Sequence, residues 1–185
     1  MKIELDDAYS LKTPEDNKQL YAKWAATYES DFVATQGYEH PKIIAEVFHS
    51  QLPEVQRVID IGTGTGLVGK YLKALRSDIT IDGIDISPEM LAEAAKKNVY
   101  RNLYERDLTT TVFDTDAPYD ALITIGTFTH GHLGIEVIEN LLSLVSKSGY
   151  FVIAFNEKYF HENNCLEFLL ARNIDLLHID KVHVY

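Results

Sequence analysis

The stretch Val58-Ile59-Asp60-Ile61-Gly62-Thr63-Gly64-Thr65-Gly66-Leu67-Val68-Gly69 decides how the rest of this 185-residue chain is read. Val58 to Ile61 reads as a buried strand, because three of the four residues are β-branched and apolar and the run stops at Gly62. Gly62, Gly64 and Gly66 then occupy a turn where a side chain would hold the backbone away from a ligand. From Leu67 the pattern turns helical, with Leu67, Val68, Tyr71, Leu72 and Leu75 at three- and four-residue spacings. Strand, glycine-rich turn and helix N-terminus together make a site for a nucleotide-like ligand. The first amides of the helix lack intrahelical partners, and the dipole there favours a carboxylate or phosphate.

Two patterns overlap in this turn. Gly64-x-Gly66-x-x-Gly69 satisfies the dinucleotide-binding string. In that fold, however, the first glycine follows the strand directly. Here that residue is Gly62, and counting from it puts Leu67 at the third glycine position. Read as Asp60-x-Gly62-x-Gly64-x-Gly66, with an acid inside the strand, the segment resembles the first motif of the class I S-adenosylmethionine-dependent methyltransferases. A nicotinamide (NAD(P))-dependent oxidoreductase stays open on the string match, although no Tyr-x-x-x-Lys pair is evident. A cofactor-binding protein without catalysis also stays open.

Length and composition narrow the field. The chain is long enough for one domain with a real core, and its apolar and charged fractions, 46% and 24%, are those of a globular protein. No apolar run approaches the ~20 residues needed to cross a bilayer. The start, MKIELDDAYS, has acids where a signal peptide needs basic then apolar residues, so a cytoplasmic location is expected. One cysteine, Cys165, excludes an internal disulfide and a cysteine-based zinc cluster. The net charge of −11 argues against nucleic acid and against anionic membranes, which leaves a small molecule or a protein as partner.

Upstream of the motif, Thr13-Pro14-Glu15-Asp16 reads as a helix start, with Thr13 as N-cap. The helix carries Leu20, Tyr21, Trp24, Ala25 and Tyr28, an aromatic face that could simply glue it to the domain. YAKWAATYESDF also looks like the segment that precedes the first motif in many small methyltransferases. That resemblance implies that Tyr21, Trp24 and Tyr28 close over the cofactor. His40-Pro41 opens a second helix through Phe48, with His40 read as a surface or capping residue.

Downstream, Ile79 to Asp85 reads as the second strand, with Ser87-Pro88-Glu89 starting the next helix. Asp85 follows Gly62 by 23 residues (85 − 62) and so falls at the C-terminal tip of the neighbouring strand, the edge where open α/β sheets bind ligands. A carboxylate there can accept hydrogen bonds from both ribose hydroxyls. A third strand near Asn102–Glu105 ends in Arg106-Asp107-Leu108. The resemblance implies that Asp107 takes the adenine amine, with Leu108 and Ile86 against the two ring faces; the alternative is an ordinary turn aspartate. Thr63, Met90 and Gly126 complete the cofactor set that the resemblance implies, with S-adenosyl-L-methionine as the cofactor.

The fourth strand, Tyr119 to Ile125, runs into Gly126-Thr127-Phe128-Thr129-His130-Gly131-His132-Leu133. In the methyltransferases such a loop is where the acceptor meets the cofactor. It lacks the Asn/Asp-Pro-Pro-Tyr sequence of the enzymes that methylate amines of nucleic acid. His130 and His132 are candidate general bases, since imidazole is poised near neutral pH. Two histidines alone make no metal site, and a purely structural role is the other reading.

A helix over about Gly134–Val145, a fifth strand over Tyr150–Phe155, a helix over about Asn163–Ala171 and a final strand over Ile174–Tyr185 complete the expected elements. The fold expected is a single α/β domain over 1–185: a three-layer, doubly wound, Rossmann-like methyltransferase fold with a mostly parallel sheet. Residues 1–50 form a helical lid segment, residues 55–185 the core, and the strand order is 3-2-1-4-5. The superfamily closes its sheet with an antiparallel hairpin for which too few residues remain here, so the C-terminal hairpin is expected to be incomplete. The open edge invites pairing with a second copy, a homodimer.

Overall fold

Five segments pair into one parallel sheet: β1 (Arg57–Ile61), β2 (Thr80–Asp85), β3 (Asn102–Glu105), β4 (Tyr119–Phe128) and β5 (Val145–Phe155). Their order is β3-β2-β1-β4-β5, as the sequence predicts. The order reverses between β1 and β4, which opens a crevice at their C-terminal ends. The computed structural model describes residues 13–33, 37–110, 115, 117–129 and 132–182.

Alternation along the strands divides the core in two. Ile59, Ile61 and Leu122 face one layer, which holds α5 (Ile138–Leu141), α6 (Glu157–Glu162) and α7 (Cys165–Leu170). Val58, Ala121 and Ile123 face the other, formed by α2 (His40–Gln51) and α3 (Leu67–Leu75). The helix α4 (Pro88–Ala95) begins at Ser87, whose hydroxyl accepts the Met90 amide at 3.2 Å. Among the described residues no helix is long and apolar enough to cross a membrane.

The first helix, α1 (Pro14–Trp24), starts with a complete capping box: Thr13 accepts the Asp16 amide and Asp16 accepts the Thr13 amide, both at 3.1 Å. It stops earlier than predicted. The Thr27 amide bonds the Trp24 carbonyl and tightens the last turn. Tyr28 therefore lies outside α1, at the entrance of a π-helical turn over Glu29–Val33.

The C-terminal third departs further from the expected elements. The helix over Gly134–Val145 is a short α-helical turn, α5, between 3₁₀ turns at Ile135–Val137 and Leu142–Leu144. The helix expected over Asn163–Ala171 forms as α7, and a further helix, α6, precedes it unannounced, separated from it at Asn164, which sits in the left-handed region at φ 46°. Ser148-Gly149 does not precede β5 but lies in a bulge within it, since Val145 pairs with Tyr119 and Tyr150 with Ala121. The strand expected over 174–185 is absent from the described part, 174–182, which has no regular structure. Leu177, Ile179 and Val182 are exposed there, so the alternation that suggested a strand buries no face, although Ile174 packs on the core and the stretch borders the cleft that runs along β5.

One polar cluster is built into this sheet away from the crevice. Asp82, fully buried on β2, accepts the Arg101 guanidinium through both oxygens, the Tyr119 hydroxyl at 2.7 Å and the Asn102 amide at 3.0 Å. Burial opposes its charge, but Arg101 and Tyr119 outweigh that and hold the carboxyl below the usual range. Asp82→Ala is expected to cost about 3 kcal/mol, toward the low end for a broken buried pair because Arg101 keeps access to water. A depressed carboxyl stabilises the fold above its unfolded value, about pH 4, and that stabilisation is lost as pH falls through the folded value. Denaturant melts of Asp82→Ala and the parent chain should therefore differ at pH 7 and converge toward the acid limit.

Candidate active site

The turn after β1 is shaped by backbone that only glycine adopts without strain. Gly62, Gly64 and Gly66 all lie in the left-handed region, at φ 69°, 55° and 86°. The amides of Gly62 and Thr63 donate to the Ile84 carbonyl at 2.9 and 3.0 Å, which fixes the turn against β2. Thr63 donates its hydroxyl to the Asp60 carbonyl at 2.9 Å. A Cβ placed on Gly64 would meet only the Gly62 carbonyl, at 4.0 Å, so the space in front of the turn is open.

Asp85, at the tip of β2, closes the other side. Its Oδ2 accepts the Gly64 amide at 2.8 Å and its Oδ1 the Ser87 amide at 2.9 Å. Burial pushes its carboxyl up, while the amides of Ser87, Gly64 and Ile86 pull it back. The carboxylate thus stands at the predicted strand tip and also clamps the glycine turn, a bond that residue spacing does not reveal.

A cleft of about 1540 Å³ runs from this turn past the ends of β4 and along β5. Gly62, Thr63, Gly64, Asp85, Ile86 and Met90 line the wall of the cleft beside this turn. Asp107, Leu108 and Gly126 also border it. The Asp107 Oδ1 is engaged by the Thr109 amide at 2.9 Å and hydroxyl at 2.6 Å, the geometry of an aspartate turn. Three members of the predicted set do not border the cleft: Trp24, and Asp60 and Gly66, which stand behind the turn. Asp60 is 1% exposed; Tyr100 donates to its Oδ2 at 2.7 Å, and burial pushes its carboxyl up to about 7.

The aromatic segment sits over the opposite wall. Tyr21 and Tyr28 border the cleft, while Trp24 is buried beneath them, its ring 6.2 Å from Tyr21 and edge-on to Tyr28 at 5.0 Å. The Tyr21 hydroxyl and His132 Nε2 are 3.0 Å apart, one donating and the other accepting according to the imidazole tautomer. The two rings lie 5.7 Å apart. His130 lies outside the described residues. Among the described residues no three His, Cys, Asp or Glu side chains stand together as a metal site.

Charged ties also dock the segment. Lys18 donates to Glu105 at 2.7 Å, and Glu29 accepts Lys97 at 2.5 Å. Burial opposes the charge on Glu29, but Lys97 and the Thr65 hydroxyl hold its carboxyl below the usual range, so the segment is joined to the glycine turn itself.

Sequence reasoning missed several residues of this site. His40 borders the cleft beside Tyr38, with burial lowering its basicity, where a surface or capping role was expected. Thr127 and Thr129, both buried, border it too, and a Cβ on Gly62 would fall 2.2 Å from the Thr127 hydroxyl. Only the contact across the crevice identifies Thr127; no local pattern does.

A parallel sheet in this order, with a glycine-rich turn at β1 and a carboxylate at the tip of β2, defines an α/β domain of the nucleotide-cofactor class. A family model described as "Methyltransferase domain" matches residues 59–151, and the chain belongs to that family. No protein among those of curated function matches it. Solved structures resemble it at the level of the fold. A DhpI–SAH complex is 21% identical, with a TM-score of 0.57 over 72% of this chain and 65% of that one. A TehB-like SAM-dependent methyltransferase from Corynebacterium glutamicum is 16% identical, with a TM-score of 0.58 over 79% and 82%. The plantazolicin methyltransferase BpumL, in complex with a monoazolic desmethylPZN analog and SAH, is 18% identical, with a TM-score of 0.55 over 84% and 74%. The chain spans 65% of the DhpI chain and about half, 52%, of another BpumL chain.

Proposed function

We propose that this chain transfers a methyl group from S-adenosylmethionine to a small-molecule acceptor. One observation carries the reading: the glycine turn with Asp85 and the Tyr21–His132 pair border the same cleft. The open space before Gly64 and the carboxylate of Asp85 fit the methionine end and the ribose of such a cofactor. Asp107 takes the adenine edge, with Leu108 and Ile86 on the ring faces. When bound, S-adenosylmethionine supplies an activated methyl on a sulfonium centre. The residues of the chain have the tasks of alignment and water exclusion, worth on the order of 7–11 kcal/mol in favourable intramolecular models. Tyr21 and Tyr28, backed by the buried Trp24, cover the site, and His132, oriented by Tyr21, accepts the proton of a hydroxyl or ammonium acceptor.

Calorimetric titration with S-adenosylmethionine, S-adenosylhomocysteine and NAD⁺, side by side, tests this reading. Micromolar binding of the two sulfur compounds and none of NAD⁺ is the expected result. Binding of NAD⁺ alone would restore the dinucleotide phasing, and binding of neither sulfur compound would remove the reading. In a screen of small-molecule acceptors, His132→Ala should retain S-adenosylhomocysteine affinity while turnover falls about 10²- to 10⁴-fold. If affinity falls as well, His132 belongs to the cover rather than to the proton transfer.

A further inference from the structure

Tyr100 lies between α4 and β3, in a segment that no motif marks, yet it meets three residues that support the glycine turn from behind: Asp60, Gly66 and Gly69. Its hydroxyl donates to Asp60 Oδ2 at 2.7 Å and accepts the Gly69 amide at 3.1 Å. Gly69 is in the first turn of α3, whose N-cap, Gly66, has no side chain to offer. The phenol oxygen therefore does what a capping side chain usually does, but from a different element. Its ring is let in by two glycines: a Cβ on Gly69 would fall 2.3 Å from the Tyr100 hydroxyl, and one on Gly66 would fall 3.0 Å from the ring. The glycine spacing that imitates a dinucleotide motif thus has another cause here, a tyrosine keyed against the helix start.

We propose that Tyr100 is a positioning residue of the cofactor site: through its hydroxyl it links the carboxylate of Asp60 to the N-terminus of α3 and so fixes the turn between them. The role in ligand binding rests on the S-adenosylmethionine reading above; the link itself does not. The second oxygen of Asp60, Oδ1, is buried without a hydrogen-bond partner among the described residues, so the Tyr100 bond is the chief support of a charge there. The titratable groups acting on Asp60 are Tyr100 and, from the tip of β2, Asp85, whose charge pushes the Asp60 carboxyl up. Its register partners are Gly83 on β2 and Ile123 on β4, neither titratable, and α3 meets this face of the sheet with Val68, Leu72 and the partly buried Tyr71. With Tyr100 in place Asp60 is ionised above about pH 7. Without the donor its ionisation moves to higher pH, and an anion beneath the turn is lost where a sulfonium and an ammonium are to bind.

Tyr100→Phe keeps the ring that packs on Gly66 and Gly69 and removes only the hydroxyl. The first arm follows the Asp60 side-chain carboxyl by ¹³C NMR through pH 5–9, roughly two units either side of the ordinary neutral range, in ligand-free protein. An upward move of the midpoint by about one unit is expected; an unchanged midpoint overturns the proposal, whether or not the chain binds S-adenosylmethionine. The second arm measures S-adenosylmethionine affinity at both ends of that range. Near neutral pH Tyr100→Phe should bind about tenfold more weakly, and most of the loss should be recovered at the alkaline end. A loss of the same size at every pH would show a merely structural role, and equal affinity of the two proteins would also overturn the proposal. If the parent chain binds no S-adenosylmethionine, the functional reading falls and the NMR arm alone decides the link.

Discussion

Asp85→Ala is expected to weaken S-adenosylhomocysteine binding about a hundredfold while leaving the sheet folded. The carboxylate of Asp85 holds two backbone amides, those of Gly64 at 2.8 Å and Ser87 at 2.9 Å, from two different elements. Hydrogen bonds to a charged group contribute about 1.5–3 kcal/mol each. The loss of two at the lower figure is about 3 kcal/mol, or two decades of affinity when the loosened element is the binding turn. The turn is susceptible because it contains three left-handed glycines, which regain the most freedom when released. The ribose contact proposed for the same carboxylate would deepen the loss. Asp85→Asn separates the contributions in part, since a carboxamide oxygen can still accept one amide while its nitrogen repels the other; about a tenfold loss is expected. Calorimetry on both variants checks the order. Affinity for Asp85→Ala within threefold of the parent would remove Asp85 from the site.

Much of this architecture was legible because its signals are local. Val58 to Ile61 and Ile79 to Asp85 each join a β-branched run to a stop that a neighbouring turn needs. The strand order then follows from right-handed crossovers between parallel strands. Thr13 and Ser87 were readable as caps because a cap is a bond between residues three apart. What failed was decided at long range or by weak local preference. The 174–182 stretch has strand-like alternation but no partner, and alternation alone cannot supply one. The helix after Gly134 is shortened into 3₁₀ turns although its apolar stripe is intact. In the site, Gly62, Gly64 and Asp85 were legible through the glycine spacing and the strand tip. Tyr100, Thr127 and His40 were not, since each acts across elements with nothing nearby in sequence to announce it. Asp60 was legible as a notable acid, but its direction, toward Tyr100 rather than the cleft, depends on the face of β1 it occupies.

Gly62→Ala should have the other large effect, and a second substitution can divide its cause. Alanine at φ 69° takes on the left-handed penalty of about 1–2 kcal/mol. Its Cβ would also stand 2.2 Å from the Thr127 hydroxyl and 3.3 Å from the Thr127 Cβ and methyl carbons. Thr127 cannot swing away without cost, because its hydroxyl donates to the Ile61 carbonyl at 3.2 Å. Forced overpacking of this kind costs about 1–3 kcal/mol, so a total of about 2–5 kcal/mol is expected, a fall in melting temperature of roughly 5–20 °C for a chain of this size. Thr127→Ala alone loses one neutral hydrogen bond, about 1 kcal/mol. Combined with Gly62→Ala, however, it removes the atoms that the new methyl meets. The double variant should therefore be more stable than the sum of the single effects by about 1–3 kcal/mol, leaving mainly the left-handed penalty. Binding should recover less than stability, because the turn that carries Gly64 remains strained at its first residue. Thermal melts of the four proteins give the coupling directly. Strict additivity would mean that β1 and β4 do not approach at Gly62 and Thr127, and the glycine turn and the loop after β4 would then have to be placed apart.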